Sequence, residues 1–437
     1  MLDPSAPHVL AIVAVDLDDG TSSRYAFALT GEPLRAAAPG DGAWRALAVA
    51  MAEGRSIAAL ADDPSSPPSA ALVCRPARAL SDLVPGGSPA ATIAAATERD
   101  LGADQSNTSV VLGERLLLKV FRRLRPGLNP DLEMTAFLSE EAGFGAVPPL
   151  GGYAELVSAS HGTATVAMAQ AFVSDATDAY ESVAETLTAW LLARGAVSLE
   201  FASEVAADVG TLTAGLHAAL GDGHGQPDMA PRDATRGEVR AWADRAQATL
   251  ATALDVTPGD AGRELRALSP RIAEALTVLE ALPTAPRVSR THGDYHLGQV
   301  LLAPDGYRIV DFEGQPFASA EERREHRDPL RDVASMLRSL DHVGRSADRR
   351  AIARNGGPLE SPGLDLPGWR RRARERFLDA YRVGLRQAGR PIDIDPALLR
   401  AYEIEKETYE FAYAATYLPS WLWAPIEGMR GLFEEAG

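Results

Sequence analysis

The sequence predicts an α+β protein with a β-rich N-terminal part and a mainly helical C-terminal part. Up to Val173, short apolar runs alternate with turn signals, and Asp18-Asp19-Gly20 favours a hairpin between the first two runs. After Asp175, apolar residues recur every three to four positions and glycines end the segments, which is typical of helices. A short strand pair between 291 and 314 interrupts this helical part.

Three regions are expected, because 437 residues exceed what one compact core accommodates. We predict an N-terminal cap subdomain over 1–90, a β-rich lobe over 91–174 and a helical lobe over 175–437. One helix is predicted inside the β-rich lobe. It starts at Asn129-Pro130-Asp131, a cap followed by a first-turn proline, and continues over 133–141.

Composition excludes several classes of protein. A formal net charge of -17 argues against a nucleic-acid partner, because phosphate contacts need clustered Lys and Arg. A single cysteine, Cys74, excludes an intramolecular disulfide and a multi-cysteine zinc site, and fits a reducing cytoplasm. No apolar run approaches the ~20 residues that span a bilayer. We therefore expect a cytoplasmic protein without membrane contact.

The segment "THGDYHLGQVLL" carries the chemistry. His292 and His296 are four residues apart, as in some helical zinc sites, but Gly293 and Gly298 disfavour a helix and no His-Glu-x-x-His pattern is present. The order His292, Asp294 and Gln299 instead matches the spacing of the kinase catalytic loop, H-R-D-x-x-x-x-N. The alternative is a purely structural role, in which His292 and Asp294 only cap and brace a loop.

The following hairpin strengthens the phosphotransfer interpretation. "YRIVDFEG" places Asp311 at the end of an apolar run, as the kinase D-F-G places its magnesium aspartate. Asp294 would accept a hydrogen bond from the attacking hydroxyl, and Asp311 with Gln299 would hold Mg²⁺ against the triphosphate of ATP. The sequence therefore predicts a magnesium- and ATP-dependent phosphotransferase.

Partners for this site are predicted upstream. Lys119 in "RLLLKVF" lies mid-strand, where a lysine reaches the α- and β-phosphates, and Glu133 is placed to pair with it. A hydroxyl-rich turn precedes that strand and is a candidate phosphate cradle; its members are Ser106, Asn107, Thr108 and Ser109. "AMAQAFV" stands where a lobe hinge would meet adenine, with Gln170 and Phe172 as candidates, a plain linker being the alternative.

With these residues in place, the chain resembles the actinobacterial maltokinases and related glucosamine kinases. These belong to the aminoglycoside-phosphotransferase-like group, which has a bilobal fold like that of eukaryotic protein kinases. "LGADQSNTSVVLGERLLLKVFRRLRPGLNPDLE", "THGDYHLGQVLL", "IVDFEGQP" and "HRDPLRDVASMLRSLD" carry the resemblance. It implies that Asp294 is the base, that Lys119 binds phosphate and is positioned by Glu133, and that Arg331 and Asp332 brace the catalytic loop.

The acceptor is where the chain departs from the maltokinases. The N-terminal Arg-Trp-Phe-Gly motif is missing, and the C-terminal pattern Tyr-Glu-x-x-Tyr-Glu-Ala-Arg-Asn-Arg-Pro-x-Trp has become "YEFAYAATYLPSW". Carboxylates beside aromatic rings suit a cationic amino sugar. We expect a small-molecule sugar substrate, glucosamine phosphorylated at its 6-hydroxyl, and the predicted acceptor residues are Asp294, His296, Glu410, Trp423 and Glu427. Maltose is the alternative acceptor, and a catalytically silent nucleotide-binding regulator is the alternative of another class.

Overall fold

The computed structural model describes most of the chain, in these ranges: 2, 8–16, 18, 20, 22–60, 69–102, 107–280, 282, 285–359 and 364–434. Two compact units are present, one formed by Met1–Ala176 with Ala303–Arg324 and one by Thr177–Leu302 with Glu325–Gly437. The sequence placed all of 291–314 in the helical lobe. In the structure, the part from Ala303 onward belongs to the β-rich unit.

The described residues form 16 strands. They are β1 (His8–Asp16), β2 (Ser22–Thr30), β3 (Arg35–Ala36), β4 (Ser56–Ala58), β5 (Ala70–Pro76), β6 (Glu98–Asp100), β7 (Thr108–Leu112), β8 (Leu116–Val120), β9 (Arg123–Leu124), β10 (Leu150–Ser158), β11 (Gly162–Ala171), β12 (Thr177–Asp178), β13 (Arg232–Asp233), β14 (Arg287–Val288), β15 (Val300–Ala303) and β16 (Gly306–Ile309).

The same residues form 12 α-helices, joined in places by short 3-10 turns. They are α1 (Ala43–Ala52), α2 (Leu80–Leu83), α3 (Pro89–Ala94), α4 (Pro130–Ala136), α5 (Ala179–Leu192), α6 (Glu200–Leu220), α7 (Arg236–Val256), α8 (Gly259–Leu276), α9 (Leu330–Asn355), α10 (Leu366–Gln387), α11 (Pro396–Tyr417) and α12 (Trp423–Glu434).

The first unit is built on a seven-stranded sheet of order β4-β5-β10-β11-β8-β7-β6. A second sheet pairs β1 with β2, and β2 in turn with β3 and β9. Because successive side chains of a strand point to opposite faces, β8 buries Leu116, Leu118 and Val120 in the core and turns Lys119 to the other face. The strand therefore presents one lysine to the face opposite the apolar core.

Helix α4 begins as its sequence predicts. The Asn129 side chain accepts a hydrogen bond from the Asp131 amide at 2.8 Å, and Pro130 occupies the first turn. The predicted continuation to residue 141 is present, but from Phe137 to Glu141 the chain forms a π-helical turn. The first turn of α4 therefore carries two acidic residues, Asp131 and Glu133.

The second unit is a helical assembly around α9 and α11, with large aromatic side chains such as Trp369, Tyr381 and Tyr402 fully buried. Helices α6 and α10 pack closely, because a Cβ atom at Gly210 would lie 2.4 Å from the carbonyl oxygen of Phe377. The strand β12 pairs antiparallel with β15, which contains the last residues of the segment "THGDYHLGQVLL" (291–302), the predicted catalytic segment. This pairing fixes one end of that segment against the start of α5.

Two further features bear on the chain as a whole. Among the described helices, none combines the length and apolarity needed to cross a lipid bilayer. Cys74 is buried in the core of the first unit, and burial raises the pKa of its thiol to about 11.

Candidate active site

Lys119 is the centre of a cluster of charges in the first unit. Its Nζ atom lies 2.8 Å from an oxygen of Asp131, 2.6 Å from Asp311 and 2.8 Å from Glu313, and its side chain is 12% exposed. Burial alone would lower the pKa of Lys119, but the three carboxylates raise it well above its ordinary value. The lysine therefore stays charged and gathers acidic groups from α4 and the "DFEG" turn.

The carboxylate of α4 that binds Lys119 is Asp131, whereas the sequence had assigned this role to Glu133. The second oxygen of Asp131 accepts a hydrogen bond from the Phe312 amide at 3.0 Å, so one buried side chain joins the strand lysine to the "DFEG" turn. Glu133 forms a two-pronged ion pair with Arg324, at 2.5 and 2.9 Å. The two acids lie two residues apart on a helix and so point in different directions.

Asp311 adopts a backbone conformation that L-residues rarely take, with φ of +67°. Such a left-handed geometry costs a non-glycine residue roughly 1–3 kcal/mol and is concentrated at functional sites. Oxygen atoms of Asp131, Asp311 and Glu313 lie within 4.8 Å of one another. Three carboxylates in this arrangement are suitable ligands for a hard cation such as Mg²⁺.

The predicted phosphate cradle is only partly described. Ser106 lies outside the described residues. The Asn107 side chain donates to Glu313 at 2.5 Å, and Thr108 accepts from Arg122 at 3.0 Å. Ser109 is buried and stands opposite Lys119 in the pairing of β7 with β8. These side chains are thus tied to the Lys119 cluster and to its strand.

The predicted hinge residues end the strand β11. Gln170 is buried and pairs with Leu117 on β8 and with Leu150 on β10. The Phe172 amide donates to the carbonyl of Arg115 at 2.8 Å, and the Arg99 guanidinium lies 5.4 Å from the Phe172 ring centre. The amide hydrogen of Phe172 is therefore already bonded to the Arg115 carbonyl, so a nucleotide contact by the Phe172 backbone would use its carbonyl oxygen.

In the second unit, α9 holds the catalytic segment. The two oxygens of Asp332 accept hydrogen bonds from the amides of His292, at 2.7 Å, and Gly293, at 3.0 Å. Gly293 has φ of +86°, a conformation that favours glycine. Ser339, two turns further along α9, accepts from the Leu297 amide at 3.0 Å. The expected bracing role of Asp332 is seen directly in these contacts.

Arg331, the residue before Asp332 on α9, makes its contacts with another helix. Its guanidinium pairs with Glu405 at 2.6 Å and lies 4.5 Å from the ring centre of Tyr402. Both of these residues belong to α11, so Arg331 joins α11 to α9 and does not touch the catalytic segment in the contacts described. The resemblance implied that Arg331 braces the catalytic loop, whereas the direct contacts to that loop come from Asp332.

Asp294, the predicted base, is bonded to a residue that sequence reasoning missed. The Nζ atom of Lys406, on α11, donates to Asp294 Oδ1 at 3.0 Å and lies 2.8 Å from Glu410. Burial would raise the pKa of Asp294, but the charge of Lys406 and its hydrogen bond to the carboxylate lower it to about 2. Asp294 is therefore an ionised carboxylate throughout the neutral range.

His296 accepts a hydrogen bond at Nδ1 from the Gly298 amide, at 3.1 Å, and its Nε2 lies 3.5 Å from Gln299 Nε2. Burial lowers its pKa, so the ring is neutral and carries its proton on Nε2 while Nδ1 accepts. The histidine thus caps the turn that carries Gln299. No metal site is formed by the catalytic-segment histidines among the described residues.

The predicted acceptor residues have cationic partners from the chain itself. Glu427 pairs with Arg349 at 3.3 Å, and the same guanidinium lies 4.6 Å from the Trp423 ring centre. Glu410 pairs with Lys406. The carboxylate-and-aromatic arrangement that the sequence predicted for a substrate ammonium is therefore filled at Trp423 and Glu427 by Arg349.

The other acidic residues of α11 are structural. Glu403 is 1% exposed and Glu407 is fully buried. Glu403 pairs with Arg374 at 2.6 Å, and Glu407 pairs with Arg338 and with His342, at 2.5 and 2.9 Å. Burial raises the pKa of Glu407, but the adjacent His342 and Arg338 reverse this and lower it overall.

Comparison with known proteins identifies the family. Residues 97–374, more than half of the chain, match the model of the phosphotransferase enzyme family (APH). This chain belongs to the phosphotransferase enzyme family. The predicted fold, an α+β kinase-like arrangement, and the predicted phosphotransferase group are both confirmed.

Two relatives of this phosphotransferase are glucosamine kinases. The enzyme of Streptacidiphilus jiangxiensis is 34% identical over 344 residues, which cover 77% of this chain and 74% of the relative. The enzyme of Mycolicibacterium smegmatis (strain ATCC 700084 / mc(2)155) is 32% identical over 338 residues, which cover 77% and 80%.

Solved structures extend the similarity to almost the whole chain. A glucosamine kinase in complex with glucosamine, ADP and inorganic phosphate has a TM-score of 0.70 and 28% identity, covering 99% of this chain and 96% of its own. Crystal form A of a glucosamine kinase has a TM-score of 0.73 and 28% identity, covering 98% of this chain and 91% of its own.

Proposed function

We propose that this phosphotransferase is a glucosamine kinase that transfers the γ-phosphoryl group of ATP to glucosamine. The observation that carries the proposal is its similarity, over 99% of the chain, to a glucosamine kinase whose structure holds glucosamine, ADP and inorganic phosphate. Identity of 32–34% with two glucosamine kinases over 77% of the chain supports the same conclusion.

The chain's own residues support an in-line transfer. The acceptor hydroxyl would donate a hydrogen bond to Asp294, whose second oxygen is held by Lys406. The oxygen–phosphorus bond to the sugar forms while the bond from the γ-phosphorus to the β-phosphate oxygen breaks, and ADP leaves with that electron pair. The hydroxyl proton passes to Asp294. In a loose transition state the hydroxyl loses its proton late, so a weakly basic carboxylate is sufficient.

On the nucleotide side, Lys119 would bind phosphate oxygens, as its charged state and its position on β8 suggest. When bound, Mg²⁺ would neutralise charge on the β- and γ-phosphates. Asp311 and Glu313 are the proposed ligands in the first unit, because their oxygens fit a hard cation. Gln299 is proposed as a further ligand. Asp131 would hold Lys119 and the "DFEG" turn in register.

For the acceptor, Glu410 is the proposed contact to the ammonium group of glucosamine. Asp294 and Glu410 share the single positive charge of Lys406, so the three groups together keep a net negative charge that favours a cation. Trp423 and Glu427 are a weaker proposal, because Arg349 already lies against both. His296 remains proposed as a neutral neighbour of the acceptor.

A phosphorylation screen tests the function. ADP release would be measured with glucosamine, glucose, N-acetylglucosamine and maltose, and we expect the highest kcat/KM with glucosamine. N-acetylglucosamine has the same ring without the positive charge, so it reports on ammonium recognition. A strong preference for maltose would replace the proposed substrate. ATP binding without sugar-stimulated ADP release would instead indicate a silent regulator.

The position of transfer needs its own test. We propose the primary 6-hydroxyl, and ³¹P–¹H correlation spectra of the product would show coupling of the phosphorus to the two protons on C6. Coupling to the C1 proton would place the phosphate on the anomeric oxygen and contradict the proposal.

A further inference from the structure

The use of lysine in this chain is unusually restricted. Of its 43 Lys and Arg residues, only Lys119 and Lys406 are lysines. Both side chains are largely buried, at 12% and 11% exposure, and each is bonded to an aspartate that the sequence predicts to be catalytic. Arginine thus serves at every other basic position. A compact ammonium is retained at these two places, where a planar guanidinium would demand different geometry.

Lys406 lies where α11 meets the catalytic segment. Its Nζ atom donates to Asp294 Oδ1 at 3.0 Å, pairs one helical turn away with Glu410 at 2.8 Å, and lies 5.0 Å from the ring centre of Tyr409. An ammonium group with three donors can bond to two carboxylates and still lie near an aromatic ring. The site therefore fits lysine in size and in donor arrangement.

Asp294 is left with one engaged and one available oxygen. Among the described residues, Oδ1 accepts from Lys406 and no hydrogen bond is formed by Oδ2. The Asp294 side chain is 18% exposed. The bond to Lys406 thus distinguishes the two oxygens of Asp294, one engaged and one without a hydrogen bond among the described residues.

We propose that Lys406 is a positioning residue of the phosphoryl transfer, which holds Asp294 in one orientation and as an anion. This inference rests on the proposed function, since it assigns a role within the same site. Lys406 acts through Asp294 and is not assigned a contact with the phosphate. Through Glu410, the same ammonium joins the catalytic carboxylate to the helix proposed to bind the acceptor.

The electrostatic consequence has a definite sign. The groups facing Asp294 are Lys406 and Tyr413 from α11 and His292 and His296 from the catalytic segment. Burial favours the protonated carboxyl, and Lys406 is the largest of the opposing charges. Removing Lys406 takes away the largest of these opposing effects, so the pKa of Asp294 rises.

The experiment compares the pH dependence of kcat in the wild type, Lys406→Met and Lys406→Arg. The quantity is the ratio of kcat at pH 8 to kcat at pH 5.5. We expect Lys406→Met to raise this ratio severalfold, because a raised pKa lowers the ionised fraction of Asp294 at pH 5.5 more than at pH 8. Lys406→Arg should lower kcat, because the planar guanidinium group fits this site poorly. It should keep the wild-type ratio of kcat at the two pH values, because the positive charge is retained.

Glu405→Gln is the matched control, since it removes an ion pair from the adjacent position of α11 on the side of Arg331. It should leave the pH ratio unchanged even if it lowers kcat. A uniform loss of kcat in Lys406→Met, with the wild-type ratio, would reduce Lys406 to a structural residue and overturn the inference.

A second readout does not depend on activity. Protein labelled with ¹⁵N-lysine contains only two lysine side-chain signals, and Lys406→Arg identifies the one from Lys406. We expect Asp294→Asn to shift this signal and to leave that of Lys119 in place. An unshifted Lys406 signal would contradict the contact itself. If glucosamine is not phosphorylated, the proposed function fails, whereas this measurement still decides on the lysine.

Discussion

Each of the two units of the molecule contains one of the two lysines, and the charged groups around these lysines differ. Lys119 is surrounded by three carboxylates, from α4 and the "DFEG" turn, whereas Lys406 is bonded to two, one of which is the predicted base. Where three acids meet one ammonium, there is an excess of negative charge that a divalent cation can neutralise. Where two acids meet one ammonium, the excess is smaller and suits a single positive charge on a substrate.

The difference suggests a division of labour within one enzyme. The Lys119 cluster has the donor set for a metal and phosphates, and the Lys406 cluster has that for a hydroxyl beside an ammonium group. Each lysine is paired with an aspartate of the predicted site, but the consequence differs. The carboxylate of Asp311 is proposed to bind the metal ion, whereas that of Asp294 is proposed to accept a hydrogen bond from the substrate hydroxyl.

The largest effect is expected from Asp294→Asn, which removes the acceptor for the hydroxyl proton on the Lys406 side. We expect kcat to fall by about 10²–10⁴-fold, the usual contribution of a general base. ATP affinity, measured by calorimetry, should change little, because nucleotide binding is assigned to the other cluster. Asp379→Asn, at a position 77% exposed, controls for the substitution type. Turnover close to wild type would exclude Asp294 as the base.

The next effect concerns the Lys119 side. Lys119→Met leaves Asp131, 4% exposed, without its cation, and we expect a loss of about 3–5 kcal/mol in the free energy of unfolding. Mg²⁺ should restore part of the lost Tm, because the ammonium no longer lies among the carboxylates of Asp131, Asp311 and Glu313.

As the control, the Tm of both proteins is measured in a buffer without Ca²⁺ and Mg²⁺. Addition of Mg²⁺ should then raise the Tm of the wild type less than that of the variant. If Mg²⁺ raises Tm equally in both proteins, Asp131, Asp311 and Glu313 do not form the cation site.

A smaller effect is expected from substitution of the two acidic residues in the first turn of α4, Asp131 and Glu133. Asp131→Asn should weaken ATP binding more than Glu133→Gln does, because Asp131 holds Lys119 and Glu133 holds Arg324. We expect a difference of several-fold in Kd for ATP, measured by calorimetry under identical Mg²⁺. Equal effects, or a larger one from Glu133→Gln, would return Glu133 to the role that the sequence predicted for it.

The sequence was sufficient where spacing along the chain determines position. Asp294 and Asp311 flank one hairpin and Lys119 lies in the middle of a strand, as predicted, so the places of all three could be named without a structure. Spacing could not choose between Asp131 and Glu133, since both belong to the first turn of α4. Which of them faces Lys119 depends on how α4 packs against β8, and that is tertiary information.

Lys406 was out of reach for a different reason. It contacts Asp294 from 112 residues further along the chain, and its sequence context, "EIEKETYE", looks like an ordinary charged helix. One signal was nevertheless present, because a lysine in a chain that otherwise uses arginine is itself conspicuous. Glu427 and Trp423 differ from Lys406, since their residue types suggested a substrate site from the sequence, and in the structure Arg349 lies against both of them.

The burial of Cys74 has a practical consequence for studying the enzyme at work. A thiol whose pKa is raised to about 11 is almost entirely protonated at neutral pH, and the thiolate is the species that reacts with maleimides. It is the single cysteine of the sequence. A cysteine introduced at an exposed position of either unit would therefore accept a fluorophore almost without background, and pairs of such labels would follow any domain motion during turnover.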